Sequence, residues 1–242
     1  MYNDDVLMSG LTELGLNPTA EQIAQLHTYY EMMVATNEVM NLTAITEYEE
    51  VCVKHWLDSL CLVKAISVDK LNTPLRLIDV GTGAGFPGIP LKILFPSLKV
   101  TLMDALGKRI RFLEEVVAAL GLSNVTCVHG RAEELGRNTQ YREQFDLCTS
   151  RAVTRMASLT EFCLPLTAVG GAMVAYKSQD CEEELTEAAK AIRTLGGNLE
   201  DTVKFTVPNS DFGRSLIVVR KEKATPAKYP RGGGKPMKSP IL

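Results

Sequence analysis

The residues best suited to chemistry lie in one run, Asp79-Val80-Gly81-Thr82-Gly83-Ala84-Gly85-Phe86-Pro87-Gly88. A carboxylate ends an apolar stretch, and glycine then recurs at every second position. Glycine is needed where the backbone takes a positive φ or lies directly against a ligand. The run therefore predicts a buried strand that turns tightly into a helix, whose first N–H groups complete a cradle for a nucleotide-like ligand.

Two cofactors compete for this cradle. The segment from Gly83 to Gly88 matches the G-x-G-x-x-G fingerprint of NAD-binding proteins, but a glycine-rich chain produces that match easily. Counted from Gly81, the first glycine after Asp79, the pattern is G-x-G-x-G, and Phe86 stands where the last fingerprint glycine belongs. An acidic strand end followed by G-x-G-x-G is typical of methyltransferases. We therefore predict S-adenosyl-L-methionine as the cofactor, with NAD as the alternative.

A second carboxylate follows the next predicted strand. Asp104 ends an alternating apolar stretch and lies about 20 residues after the glycine run, where an acid accepts hydrogen bonds from ribose hydroxyls. NAD enzymes share this acid, so it does not separate the two cofactors. The alternative role for Asp104 is an N-cap for the helix predicted at 108–120.

Strand and helix patterns alternate from residue 75 onward. We predict strands at 75–80, 99–103, 125–129, 145–149 and 171–176, and helices at 88–94, 108–120, 157–164 and 182–195. Two further strands, 198–206 and 214–221, have only a turn between them and predict a hairpin. The order predicts an α/β, class I (Rossmann-like) methyltransferase fold with a mostly parallel seven-stranded sheet and a terminal antiparallel hairpin.

The flanking segments differ from this core. Residues 1–67 show helical periodicity, which predicts an N-terminal helical extension to an S-adenosylmethionine-binding core at 75–221. Residues 222–242 form a basic C-terminal tail without enough apolar residues for a core, so we expect it to lie along phosphates. The alternative is that Tyr229-Pro230 packs against the sheet. We treat 1–242 as a single methyltransferase domain.

Composition limits the remaining classes of protein. The chain has 242 residues, 45% of them hydrophobic, and a net charge of -3, which is ordinary for a soluble globular protein. It has no apolar run long enough to span a membrane and no signal-peptide pattern at its start. Its six cysteines are scattered without a C-x-x-C pair. We therefore expect a cytoplasmic protein with reduced cysteines, no metal site and no membrane partner.

Several motifs outside the glycine run carry a family resemblance. They are Asn41-Leu42-Thr43-Ala44-Ile45, His55-Trp56-Leu57-Asp58-Ser59-Leu60, Gly130-Arg131-Ala132-Glu133-Glu134, Ser150-Arg151-Ala152-Val153 and Lys228-Tyr229-Pro230-Arg231. With these motifs, most of the chain resembles the bacterial glucose-inhibited division protein B family, the 16S ribosomal RNA guanine-N7 methyltransferases.

The resemblance implies a set of cofactor contacts. Together with the glycine run, the predicted cofactor-binding residues are Asp79, Gly81, Gly83, Gly85, Phe86, Asp104, Ala132, Glu133 and Arg151. Phe86 offers an apolar wall, Ala132 and Glu133 follow the third strand and read the adenine edge, and Arg151 faces either the methionine carboxylate or the RNA. The alternative for the segment 131–134 is a helix start with acids in its first turn.

The resemblance also implies the reaction and the partner. N7 of guanine has a free lone pair and no proton to lose, so no general base is predicted and His55 is given a structural role. The expected partner is 16S ribosomal RNA, in the decoding-region loop, or the 30S ribosomal subunit. The basic residues predicted to bind this RNA are Lys92, Lys108, Arg109, Arg155, Lys177, Lys228 and Arg231.

We expect a monomer that does not bind DNA. Two other functions stay open at this stage. An NAD-dependent oxidoreductase is disfavoured by the register of the glycine run and by the lack of residues for a second domain. An inactive ribosome-binding module with a methyltransferase fold is disfavoured by the intact glycine run and by Asp104.

Overall fold

The computed structural model describes residues 2–242 of the chain. Seven strands form one sheet: Arg76–Val80 (β1), Lys99–Asp104 (β2), Val125–His129 (β3), Phe145–Arg151 (β4), Thr167–Ser178 (β5), Gly197–Thr206 (β6) and Gly213–Lys221 (β7). Their order is β3-β2-β1-β4-β5-β7-β6. Strands β1 to β5 pair in parallel, whereas β7 is antiparallel to both β5 and β6. The predicted fold class is confirmed.

The helices surround this sheet. Their bounds are Asp5–Glu13 (α1), Ala20–Met40 (α2), Tyr48–Val51 (α3), Asp58–Leu60 (α4), Val68–Leu71 (α5), Gly88–Leu94 (α6), Gly107–Ala119 (α7), Ala132–Leu135 (α8), Met156–Cys163 (α9), Glu182–Thr194 (α10) and Lys235–Lys238 (α11). A π-helical stretch, Cys52–Leu57, joins α3 to α4, and a 3-10 stretch, Cys61–Lys64, follows. Between residues 2 and 242, no helix combines the length and the hydropathy that crossing a bilayer requires.

The sheet register places the predicted site residues along one edge. Asp79 lies beside Thr149 of β4, and β1 pairs in parallel with both β2 and β4. The strands that follow β1 are therefore added first on one side of it, as β2 and β3, and then on the other, from β4 onward. Asp104 and Arg151 are the last residues of β2 and β4. Because parallel strands end at the same edge, these three side chains meet at the switch point where doubly wound sheets bind ligands.

The N-terminal helices share a core with the sheet. Thr19 caps α2 through a capping box with Gln22, as the Ser/Thr-x-x-Gln pattern requires. The Gln22 amide then donates to the carbonyl of Ile93 at 2.7 Å, which ties α2 to α6. Tyr29 and Trp56 are fully buried in the same cluster as Leu102 of β2. This burial joins the extension to the helices and strands that carry the glycine run.

The C-terminal tail packs on the protein, so the expectation that residues 222–242 lie free is wrong. The Arg142 guanidinium donates to the carbonyls of Thr225 and Tyr229 at 2.7 and 2.8 Å. Tyr229 packs against the core cluster formed by β4, α9 and α10. The tail is held by hydrogen bonds to part-buried groups elsewhere in the chain, which stabilise a segment that has too few apolar residues for a core of its own.

Candidate functional site

The glycine run forms a turn with an open centre. Gly81, Gly83 and Gly85 have φ values of +71, +63 and +112°. A Cβ on Gly81 would lie 2.5 Å from Cγ2 of Val153, and one on Gly85 would lie 2.7 Å from Ile89. A Cβ on Gly83 would meet nothing within 4 Å. The outer glycines therefore let chain segments pack closely, while the middle one borders the space that a ligand would fill.

Asp79 braces this turn from beneath. Its Oδ2 accepts hydrogen bonds from the Thr82 hydroxyl at 2.6 Å and from the Gly88 N–H at 2.9 Å. Its Oδ1 is buried and, within residues 2–242, has no hydrogen-bond partner. Burial raises the pKa of the Asp79 carboxyl to about 6, although both hydrogen bonds and the charge of Arg151 act against that rise.

Asp104 holds the turn from the side. Its Oδ2 accepts from the Gly83 N–H at 3.0 Å and from the Arg109 guanidinium at 3.2 Å. Its Oδ1 accepts from the N–H of Leu106, which is itself the N-cap residue of α7, at 2.9 Å. Asp104 thus fixes the segment that enters α7 without being its N-cap. Its side chain is buried and lies at the same edge of the cradle as Gly83.

Ala132 and Glu133 open the short helix α8, with Arg131 as its N-cap residue. Both are buried, and Glu133 lines a cavity of about 520 Å³ together with residues of the tail. The helix start and the position at the sheet edge coincide here, so the two readings of this segment are compatible. Glu133 is 4.0 Å from Arg131, and the binding roles of Ala132 and Glu133 stay predictions.

Arg151 is locked in place by the N-terminal helices. Its Nη1 donates to Asp58 Oδ2 at 2.6 Å and to the Lys54 carbonyl at 2.9 Å. Its guanidinium lies 5.1 Å from the ring centre of Phe86, which stacks on His55 at 4.4 Å. Phe86 is therefore the apolar wall of a cluster that links the glycine run to Arg151.

Asp58 also accepts hydrogen bonds from a second arginine. Arg214, from β7, donates to Asp58 from Nε at 3.0 Å and from Nη2 at 3.2 Å. One fully buried carboxylate thus faces two guanidinium groups. Burial of His55, reinforced by the Arg151 charge, lowers its pKa to about 3. His55 is neutral near pH 7 and adds no charge.

Arg151 and Arg214 open onto a cavity of about 900 Å³. It lies beyond the ends of β4 and β5, and its lining includes Val153, Lys177 and Glu184. Since Val153 also packs against Gly81, the cavity and the glycine cradle are separated by one side chain. A ligand in the cradle and a second ligand in the cavity would meet at this point.

The predicted RNA-binding residues fall into different environments. The RNA role predicted for Lys92 is wrong, because this residue is 2% exposed and its ammonium group donates to two backbone carbonyls of the loop that follows α6. Arg231 forks onto the buried carboxylate of Glu161 at 2.7 Å, so it anchors the tail. Lys108 and Lys228 are exposed. Arg109 is engaged by Asp104 at the cradle.

Two more of these residues line the cavity. Arg155 is exposed and pairs with Glu187 at 2.8 Å. Lys177 is mostly buried, and its Nζ donates to the Thr154 carbonyl at 2.7 Å and to Glu184 Oε2 at 2.6 Å. Lys177 therefore has a fixed position in the wall of the cavity.

Sequence reasoning missed four participants: Tyr29, Asp58, Glu184 and Arg214. Their roles depend on contacts between distant segments, and no local spacing predicts such contacts. Asp58 alone carries a signal, because it interrupts the apolar stretch 56–60, where a carboxylate needs a buried partner. Tyr29 donates to the carbonyl of Ala84 at 2.6 Å and so supports the glycine run from α2.

The chain is similar in sequence to a known family of proteins over most of its length. The family model of rRNA small subunit methyltransferase G matches residues 22–212 of the chain. The chain belongs to that family. Ribosomal RNA small subunit methyltransferase G of Lachnoclostridium phytofermentans is 50% identical over 242 residues, which are 100% of this chain and 99% of that protein. The protein of the same name from Exiguobacterium sibiricum is 47% identical and covers 99% of both chains.

Membership of the rRNA small subunit methyltransferase G family confirms the resemblance predicted from the motifs. Solved structures with the same fold are more distant. A putative sarcosine dimethylglycine methyltransferase from Galdieria sulphuraria superposes with a TM-score of 0.56 at 13% identity, covering 73% of this chain and 88% of that one. A mutant of MtNAS in complex with S-adenosylmethionine gives 0.55 at 12% identity, covering 84% and 76%. At these identities the likeness shows the fold alone.

Proposed function

We propose that this protein is an S-adenosyl-L-methionine-dependent methyltransferase that modifies N7 of a guanine in the 16S ribosomal RNA. The observation that carries the proposal is the adjacency of the glycine cradle and the cavity, which share the side chain of Val153. Methyl transfer between two bound molecules needs such an arrangement. Family membership supports rRNA as the substrate, because the relatives are named as small subunit rRNA methyltransferases.

The residues of the cradle fit the proposed cofactor. Gly83 borders open space, and Asp104 offers a buried carboxylate for ribose hydroxyls beside it. The unpartnered Oδ1 of Asp79 suits the positive charge of the methionine part. We assign the adenine end to Ala132 and Glu133 and an apolar wall to Phe86. NAD would fit the ribose acid equally well, but family membership does not favour an oxidoreductase.

The proposed methyl transfer needs no general base. When bound, S-adenosyl-L-methionine supplies a methyl group already activated by a sulfonium. The chain's own residues then have to hold the base in line with that methyl group, which is worth several kcal/mol in barrier height. Asp58 fixes Arg151 for this purpose at the boundary between cradle and cavity. His55, with its pKa lowered to about 3 by burial, is not needed as a base.

Single-turnover rates at saturating cofactor are expected to lack a base-type ionisation. N7 is unprotonated near neutral pH and needs no deprotonation, so the rate should be nearly flat between about pH 6 and 8. The measurement is a rapid-quench assay over that range. A rate that climbs tenfold per pH unit would contradict attack by N7 and would favour a nucleophile that must lose a proton.

Cofactor affinity, in contrast, is expected to depend on pH through Asp79. Its pKa of about 6 lies above the ordinary 3.8, so the protonated form adds stability that is full below 3.8 and lost as pH rises through about 6. A positively charged cofactor favours the ionised form, so its affinity should increase from about pH 5 to 7. Calorimetric titration of the wild type should show this increase, and Asp79→Asn should flatten it. Equal pH profiles for both proteins would show that the ionisation of Asp79 does not set the pH dependence of cofactor affinity.

We propose that exposed tail lysines bind RNA phosphates. Changing Lys228, Lys235 and Lys238 to glutamate should weaken RNA binding and reduce the salt dependence by about one ion per lost contact. Cofactor affinity should not change. The control is Lys70→Glu with Lys99→Glu, two exposed lysines at the opposite edge of the sheet. If the tail variant and this control bind RNA alike between about 50 and 300 mM salt, the tail is not an RNA contact.

We further propose that the protein works as a cytoplasmic monomer, as one methyltransferase unit with an N-terminal extension and a packed tail. The deciding experiment for the reaction is mass spectrometry of ribosomal RNA nucleosides from a deletion strain. We expect one 7-methylguanosine to disappear from 16S RNA and to return with the wild-type gene. An unchanged nucleoside profile would count against the proposed function and would favour an inactive ribosome-binding module.

A further inference from the structure

The wall of the 900 Å³ cavity opposite the cradle carries a paired cation and carboxylate with unused bonding capacity. Two of the three Lys177 ammonium protons go to Thr154 and Glu184. Glu184 Oε2 accepts from Lys177 and from the Met156 N–H at 2.9 Å. Its Oε1 makes no hydrogen bond within residues 2–242. One donor and one charged acceptor, held side by side, therefore remain for a ligand.

The Glu184 carboxyl keeps its charge near neutral pH. Burial raises the pKa of the Glu184 carboxyl, but the hydrogen bond and charge of Lys177 outweigh it, and the pKa lies below its ordinary value. Lys177 is 12% exposed and Glu184 25% exposed, and each is fixed by a second bond to the backbone. Their position is therefore set before a ligand arrives.

This pair complements one edge of guanine. The Watson–Crick edge of guanine presents an acceptor, O6, followed by the donors N1–H and N2–H. A lysine proton opposite O6 and a carboxylate oxygen opposite N1–H and N2–H satisfy all three groups. Adenine in the same pose would place its N6 protons against the ammonium group and its unprotonated N1 against the carboxylate.

The pose leaves N7 free to face the cradle. Strand β5, which carries Lys177, is separated from β1 by β4 alone, so its end lies about 10 Å from the glycine run. N7 lies on the Hoogsteen edge, beside O6, so a purine whose Watson–Crick edge meets β5 can have this edge toward β4 and β1. That side is bounded by Arg151 and by Val153, which packs on Gly81.

We propose that Lys177 and Glu184 read the Watson–Crick edge of the target guanine and so set the base specificity of this enzyme. The inference rests on the proposed function and names the residues that select its substrate. A site built around hydrogen bonds to one base rejects a base that lacks them by orders of magnitude, because its own polar groups stay unpaired.

The test measures binding of single nucleotides with S-adenosylhomocysteine present, so that neither methyl transfer nor the adenine site contributes. Guanosine 5′-monophosphate should bind the wild type at least about tenfold more tightly than adenosine 5′-monophosphate. Glu184→Gln keeps an acceptor for the Met156 N–H but turns a donor toward the base, and should lower the ratio to within about twofold. Lys177→Gln should lower it as well.

The matched control is Glu183→Gln, a neighbouring exposed glutamate of α10 outside the cavity. It should keep the wild-type preference. S-adenosylhomocysteine affinity and melting temperature of each variant report on folding. A wild type without preference, or a Glu184→Gln variant that keeps it, overturns the inference. A missing 7-methylguanosine change in the deletion strain counts against the proposed reaction alone, because the nucleotide preference is measured without it.

Discussion

Gly83→Val is expected to abolish cofactor binding while leaving the fold intact. The position has a φ of +63° and open space where a side chain would go, so no protein atom obstructs the new methyl groups. They would occupy the ligand volume instead. We expect S-adenosyl-L-methionine affinity to fall at least about a hundredfold, equivalent to about 2.8 kcal/mol. Isothermal titration calorimetry measures this loss directly.

Backbone strain is the competing cause, and a second glycine controls for it. Gly121 has a φ of +62° and, like Gly83, nothing within 4 Å of a Cβ, but it follows α7 away from the cradle. Gly121→Val should suffer the same left-handed strain, about 1–2 kcal/mol of stability, and bind the cofactor normally. Equal affinities for the two variants would show that Gly83 does not face the cofactor.

Asp58→Ala is expected to give the largest loss of stability among single substitutions at the site. It leaves Arg151 and Arg214 without their shared carboxylate, and Arg151 is nearly buried. Removing one partner of a buried ion pair costs about 3–5 kcal/mol. Urea denaturation of the purified protein should show this change in the unfolding free energy.

The control for Asp58 is an ion pair made by another arginine of the strand that carries Arg214. Arg220 of β7 forks onto Glu200 with the geometry that Arg214 uses for Asp58, but that carboxylate is 43% exposed. Glu200→Ala should therefore cost less than about 1 kcal/mol. If both alanine variants lose the same stability, burial of Asp58 is not what makes its ion pairs important.

Local patterns predicted the sheet because each of its elements has a local cause. Alternation and apolar runs mark the strands, and glycines with a strand-ending acid mark the turn at β1. The predicted strand 145–149 is too short, because β4 continues through Arg151. Hydrogen bonding to β5, whose Tyr176 lies opposite Arg151, extends the strand, and no signal within the segment itself indicates that pairing.

The sequence does not show which basic side chains are free to bind RNA. A lysine or arginine in a sequence looks like a surface residue whether it faces solvent, a buried acid or a backbone carbonyl. Arg231 and Lys92 belong to the last two groups. The partner of Arg231, Glu161, lies in a segment that only the folded chain brings close, whereas Lys92 donates to carbonyls just after α6 and is buried by the packing around them. Glu184 was not predicted as a site residue, because its role depends on a cavity formed by β5 and α10.

The hydrogen bond from Tyr29 to Ala84 makes cofactor occupancy detectable far from the cradle. A ligand that stiffens the glycine run also stiffens the carbonyl that anchors the middle of α2, and Gln22 adds a second attachment to α6. Amide deuterium uptake along α2 should therefore slow when the cofactor binds. A catalytic core trimmed of its first 67 residues would lose this support, so the extension cannot be removed or exchanged as an independent module.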